Sequence, residues 1–269
     1  MTDIVQVKSQ EIERLHRATS ERELILRAER VPPAHPFLPK NEIANELLVI
    51  AEVKKASPSK GSIQLTADPA RVASAYDAGG ADAISVLTDE RFFSGSIADF
   101  LSVRNATQRP LLRKDFLLDE WQVYEARAMG ADAILLIVAI LSEERLRALQ
   151  QLATELGMAA LLEVHNREEA DRLKAIAAPR HIGVNNRNLH TFQVDLHTTE
   201  TLVPYLHSAY PDAVIISESG IAAVSDAARA SAAGANGLLV GEALMRQGLA
   251  QVGTTIGAFK NAVNGSGGE

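Results

Sequence analysis

From Leu47 to Glu242 the chain repeats one pattern: a short apolar run, a polar stretch with helical spacing, then another apolar run. The runs are LLVIAEV (47–53), DAISVLT (82–88), PLLRKD (110–115), DAILLIV (132–138), AALLEV (159–164), HIGVNN (181–186), AVIISES (213–219) and GLLVGE (237–242). They are rich in Val, Ile and Leu and alternate little between apolar and polar, as parallel strands covered on both faces do. Between them, DPARVASAYDAGG (68–80) and SEERLRALQQLATELG (142–157) read as helices, the second with Leu146, Leu149, Leu152 and Leu156 along one side. GADAISV (80–86), GADAILL (130–136) and GANGLLV (234–240) each put a glycine where a helix ends and a strand begins. A left-handed glycine closes helices at such places. Eight repeated units of this kind predict an α/β fold closed into a (β/α)8 TIM barrel, with an open doubly wound sheet as the rival arrangement.

Residues 1–30 predict one or two amphipathic helices, with Ile4, Val7, Ile12 and Leu15 toward one face. VPPAHPFLP (31–39) carries four prolines and must be extended, because proline continues neither a helix nor a central strand. The expected organisation is a single domain, 1–269. It comprises an N-terminal helical extension and proline-rich connection (1–46), the barrel (47–250) and a disordered tail (264–269). The chain length of 269 residues suits one such barrel, which typically takes about 250.

Composition narrows the function. A net charge of -7 and only 4% aromatic residues argue against nucleic-acid binding. The absence of cysteine rules out disulfides, thiolate metal sites and a cysteine nucleophile. The longest apolar run, Ala133 to Leu141, is too short to cross a bilayer, and the charged N-terminus does not read as a signal peptide. A cytoplasmic protein without a membrane partner is expected.

In a (β/α)8 barrel the chemistry gathers at the C-terminal ends of the strands. Here those ends read Glu52–Val53–Lys54–Lys55, Arg113–Lys114–Asp115, Glu163–Val164–His165, Asn185–Asn186–Arg187, Ser217–Glu218–Ser219–Gly220 and Gly241–Glu242. Period-two alternation puts Glu52 and Lys54 on one side of the first strand. Lys54, Lys55, Lys60, Arg113, Lys114 and Arg187 all fall at or just after strand ends, so an acidic chain can still present a positive mouth to an anionic ligand. Neighbouring cations and an apolar wall would lower the pKa of Lys114. Ser219–Gly220–Ile221 and Gly241–Glu242 read as phosphate-binding turns, and Ser57–Pro58–Ser59–Lys60–Gly61 as a loop adding hydroxyl and cationic contacts. The Glu242 carboxylate must then point away. His165 taken alone reads as a bystander, and His181, at the opposite rim, as structural.

Several of these segments resemble one family in its own order. VIAEVKKASPSKGSI (49–63) is similar to the signature of the indole-3-glycerol-phosphate synthases, with its E-x-K-x-x-S-P-S core. LTDERFFSGS (87–96), the stretch 111–141, LLEVHNREE (161–169), IGVNNRNLHTFQVDL (182–196), ISESGI (216–221) and GLLVGEALM (237–245) resemble the same family. The resemblance covers roughly residues 45–250 and does not reach the first forty. It implies conversion of 1-(2-carboxyphenylamino)-1-deoxyribulose 5-phosphate to indole-3-glycerol phosphate with release of CO2 and water, in the tryptophan pathway, with neither metal nor organic cofactor. By that resemblance Lys114 is the general acid of ring closure, and Glu163 the base of dehydration. Lys54 holds the substrate carboxylate or serves as an acid in dehydration, and Glu52 orients the lysines. Asn185 and Ser219 complete the catalytic set. Arg187, Glu218, Ser57, Gly220 and Gly241 hold the substrate and its phosphate, while Phe93 and Phe116 flank the anthranilate ring. The expected partner is a small anion carrying a carboxylate and a phosphate, and the chain is expected to be a monomer or weak homo-oligomer. Two other readings stand beside this one. One is a phosphoribosyl isomerase, whose anthranilate-specific relatives commonly carry a cysteine base at the end of the first strand, a residue this chain lacks. The other is a catalytically silent barrel that serves as an assembly module.

Overall fold

The computed structural model describes residues 2–40, 46–57, 61–64, 66–176, 178–189 and 191–264. Eight parallel strands follow the eight apolar runs: β1 (Leu48–Val53), β2 (Ala83–Leu87), β3 (Leu111–Lys114), β4 (Ala133–Ile137), β5 (Ala159–Val164), β6 (His181–Asn185), β7 (Val214–Glu218) and β8 (Gly237–Val240). Each pairs with its neighbours in sequence, and β8 pairs with β1, so the sheet is a closed barrel. β1, β2, β4, β6, β7 and β8 are buried at every position, which is why these runs lack alternation.

The N-terminal extension forms α1 (Thr2–Ala18) and α2 (Glu21–Arg30). Ser20 starts α2 by accepting a hydrogen bond from the Glu23 N–H. After β1 come α3 (Pro69–Ala78), α4 (Glu90–Phe93), α5 (Ile97–Ala106), α6 (Glu120–Ala128), α7 (Glu143–Glu155), α8 (Arg167–Arg172), α9 (His197–Ala209), α10 (Val224–Ala232), α11 (Glu242–Arg246) and α12 (Val252–Lys260). The predicted closing glycines are left-handed, with φ of 82° at Gly80, 85° at Gly130 and 97° at Gly234.

Two hydrophobic layers hold the fold. One lies between the sheet and the surrounding helices, with Tyr76, Phe100, Leu146, Leu206 and Phe259 among its members. The other fills the barrel, where Ile50, Leu112, Leu161 and Ile216 come from the odd-numbered strands. Phe37 and Leu38, on the proline-rich connection, join this inner cluster. His181 opens β6 at that N-terminal rim and donates from Nε2 to the Leu38 carbonyl (3.1 Å). Burial there holds its pKa below the ordinary value.

α1 crosses the other rim. Its Lys8 is only 3% exposed, and Nζ lies 2.8 Å from each of Asp89 Oδ2, Asp115 Oδ1 and Glu11 Oε2. A buried ammonium is tolerated only with such compensation. Among the described residues no helix is long and apolar enough to cross a membrane.

Candidate active site

Period-two alternation along the odd strands sets the chemistry. Two residues beyond Ile50, Leu112, Leu161 and Ile216 stand Glu52, Lys114, Glu163 and Glu218. Barrel interiors are built from layers of four side chains contributed by alternate strands. In this barrel the layer next to the mouth is charged rather than apolar. Lys114 Nζ lies 3.3 Å from Glu163 Oε2 and 3.4 Å from Glu218 Oε2. Lys54, just past the end of β1, donates to Glu52 Oε1 at 2.9 Å, and its ammonium sits 5.5 Å from the centre of the Phe93 ring.

These groups open into a cavity of about 520 Å³ at the C-terminal rim. Of the residues singled out in sequence, Glu52, Lys54, Phe93, Lys114, Phe116, Glu163, Asn185, Arg187, Glu218, Ser219, Gly220 and Gly241 all line it. The Phe93 and Phe116 rings form an apolar wall, with centroids 6.2 Å apart. Asn185 accepts the Arg187 N–H through Oδ1 (3.0 Å). Glu242 turns to Arg246 (2.9 Å). The backbone of Ser57 pairs with Gly61 in a short hairpin after β1. Its side chain lies outside the described residues, as do Pro58, Ser59 and Lys60.

The pKa of Lys114 runs opposite to expectation. Burial disfavours its charge, but Glu163, Glu218 and Glu52 outweigh burial and hold the ammonium well above the usual lysine range. Its nearest charged neighbours are carboxylates, not cations. Burial also disfavours charge on Glu163, yet Lys114 and His165 hold its pKa below the carboxylate range. Glu218 is pushed upward, chiefly by burial and then by the like charges of Glu163 and Glu52, against the pull of Lys114. Neither of its oxygens has a hydrogen bond among the described residues. Two adjacent carboxylates are therefore driven apart in acidity, the pattern that separates acid from base roles.

Of the six cations expected at the positive mouth, two turn elsewhere. Arg113 precedes Lys114 by one residue and so faces out of the barrel, where it meets Glu125 (2.8 Å) and the Gln122 carbonyl (2.9 Å). Lys55 pairs with Asp99 (2.7 Å). Lys54, Lys114 and Arg187 remain on the cavity wall, joined by Arg246, and carboxylates stand among them.

Several contributors were not legible in sequence. Ile4 of α1 forms part of the wall, as do Leu189 and Phe192 from the loop after β6. Ser219 sits in the left-handed region at φ 65°, followed by Gly220 at 84°, a conformation that non-glycine residues rarely hold without support. Asn186 supplies it: its Nδ2 donates to the Ser219 and Glu218 carbonyls and to Ser217 Oγ, while its Oδ1 accepts from the N–H and hydroxyl of Thr199. Two glycines leave room for carboxylates. A Cβ on Gly183 would collide with Glu218 Oε1, and one on Gly241 would lie 2.5 Å from Glu52 Oε1. An isolated glycine in a strand hints at close approach, but not at what approaches.

A family model described as indole-3-glycerol phosphate synthase matches residues 1–254. The chain belongs to that family. The match takes in α1 and α2, which the motif resemblance did not reach. Over 199 residues the chain is 52% identical to the indole-3-glycerol phosphate synthase of Laribacter hongkongensis, covering 74% of each chain. It is 54% identical over 200 residues to that of Arthrobacter sp. strain FB24, covering 74% of this chain and 72% of the relative. With that of Rippkaea orientalis it shares 44% over 254 residues, covering 92% and 85%. The isomerase alternative gives way to the synthase family.

Proposed function

We propose that the cavity binds 1-(2-carboxyphenylamino)-1-deoxyribulose 5-phosphate and closes it to indole-3-glycerol phosphate, with Lys114 as acid and Glu163 as base. As a member of its family the chain is a carboxy-lyase of tryptophan biosynthesis. The observation that carries the residue roles is the Lys114 ammonium held between Glu163 and Glu218.

The aryl ring carbon attacks the ketone carbon, and the ketone oxygen gathers negative charge. Lys114 enters this step protonated, donates to that oxygen and leaves a hydroxyl on the new ring. A developing alkoxide is basic enough to take a proton even from an ammonium whose pKa is raised. The carboxylate then departs as CO2 and returns its electron pair to the ring. The nitrogen lone pair expels the hydroxyl, which takes a proton from Lys54, freed once the carboxylate has left, and departs as water. Glu163, kept ionised, removes the carbon-bound proton whose loss completes the indole.

Lys54 pairs with the anthranilate carboxylate, beside the Phe93 and Phe116 wall that takes the aryl ring. Glu52 holds Lys54 in place. Asn185 supports Glu163 and fixes the Arg187 backbone. Arg187, with the backbone N–H groups of Ser219, Gly220 and Gly241, takes the phosphate end, where the left-handed turn at Ser219–Gly220 exposes the peptide.

The test follows fluorescence of indole-3-glycerol phosphate formed from the carboxyphenylamino substrate. Steady product growth is expected, and Lys114→Ala should lower kcat by about 10²–10⁴-fold, the range of a positioned acid. Folded protein that binds the reduced substrate analogue but releases no CO2 from the substrate itself would mark a silent module and overturn the reading. Normal turnover by Lys114→Ala would overturn the acid assignment.

A further inference from the structure

The mechanism leaves unused a titratable side chain that stands directly against its base. His165 follows β5 directly, two residues from Glu163, and is 9% exposed at its side chain. Its Nε2 stands 3.3 Å from Glu163 Oε1, an ion-pair distance without hydrogen-bond alignment. On its far side Nδ1 is 3.0 Å from Glu169 Oε2, and the same oxygen accepts the His165 backbone N–H at 2.9 Å. Glu169 is itself fixed. Its Oε1 accepts from Asn166 Nδ2 (2.8 Å), and its N–H donates to Asn166 Oδ1 (2.9 Å), the cap of α8. Glu163, His165 and Glu169 thus form a chain of carboxylate, imidazole and carboxylate, with side-chain exposure rising outward from 2% to 9% to 13%.

The two oxygens of Glu163 are divided between neighbours. Oε2 faces Lys114, and Oε1 faces His165. Glu52, Glu163 and Glu218 make three buried carboxylates, against the two lysines Lys54 and Lys114. Lys114 is shared between Glu163 and Glu218, and an imidazolium at His165 gives Glu163 a second cation, on its other oxygen. A ring whose two nitrogens both face carboxylate oxygens is suited to donate from both.

We propose that His165 is a positioning residue for Glu163: held by Glu169, its imidazolium aims Oε1 and keeps Glu163 ionised for proton abstraction. The proposal rests on the reading of Glu163 as the base. The charged and polar groups facing this pair are Glu169 from α8, Lys114 from β3, Glu218 from β7 and Asn185 from β6. The pKa of His165 agrees: burial lowers it, but Glu163 and Glu169 raise it further, to about 10.

The experiment compares kcat and the pH profile of kcat/KM for the full chain with Glu163→Gln, His165→Asn and Glu169→Gln. The acidic limb of kcat/KM reports groups of the free enzyme. Removing a cation within hydrogen-bonding reach should raise that limb by about 1–3 pH units. For His165→Asn we expect this shift, with kcat about tenfold or more lower and KM little changed. Glu169→Gln should shift the limb the same way by less. A residue that only fills space would leave the profile where it was. If Glu163→Gln turns over normally, the base assignment itself fails, and the proposal with it. If Glu163→Gln is inactive but the other two profiles superimpose on the parent, the positioning role alone is overturned. Should His165→Asn not fold, Glu169→Gln decides: a raised limb supports the proposal and an unmoved one overturns it.

Discussion

Gly183 on β6 lies so close to the carboxylate of Glu218 on β7 that no Cβ fits between its Cα and Glu218 Oε1. The missing side chain is what lets a buried carboxylate reach Lys114 across the barrel. Gly183→Ala must therefore displace the Glu218 carboxylate from its place beside Lys114. Overpacking of this kind costs about 1–3 kcal/mol. We expect a lower Tm together with a fall in kcat/KM, read by thermal unfolding and the product assay. An alanine variant with unchanged activity would show that Glu218 can stand elsewhere without consequence.

Lys8 should carry much of the docking of α1. Lys8→Met leaves Asp89 and Asp115 buried without their shared cation. Breaking one side of a buried ion pair typically costs about 3–5 kcal/mol. Urea unfolding gives the stability change. Trp121, the sole tryptophan, has its ring centroid 4.1 Å from that of His16 on α1, so its emission reports whether the helix has lifted. A variant with parental stability and emission would mean that apolar contacts alone seat α1.

Asn186→Ala removes the donors that hold the Ser219 and Glu218 carbonyls and the acceptor for Thr199. Leaving buried partners unsatisfied costs about 1–3 kcal/mol. Without that brace the left-handed Ser219 turn should relax, and KM should rise more than kcat falls. Steady-state kinetics check this, and an unchanged KM would mean the turn holds itself.

His165 makes stability depend on pH in a defined window. Its folded pKa is raised to about 10, from an ordinary value of 6.5, by Glu163 and Glu169 acting against burial. The folded state therefore binds the proton more tightly than the unfolded chain. Its contribution is fully present below pH 6.5 and is lost as pH climbs through the folded value. The stability gap between the parent and His165→Asn should narrow between about pH 6.5 and 10 in denaturant titrations. A gap that is constant across that range would mean that the folded protein does not raise the His165 pKa.

The barrel could be read directly from residues 47–242, because strands buried on both faces must be apolar throughout and each helix must end before the next strand begins. Lys114, Glu163, Glu52 and Glu218 were visible for the same reason, as charges closing apolar runs. What sequence spacing could not supply was the set of neighbours across the barrel. That Lys114 faces three carboxylates, while Arg113 faces outward, follows from strand register and barrel closure, which bring Lys114 to residues 49 to 104 positions away in the chain. The direction of the Lys114 pKa changed with those neighbours, since Coulomb interactions depend on distance in space and not along the chain. The same holds for Lys8 on the buried face of α1, for the carboxylates resting on Gly183 and Gly241, and for Glu169 behind His165. Local pattern decides which residues are buried in each element, and only packing decides which of them meet.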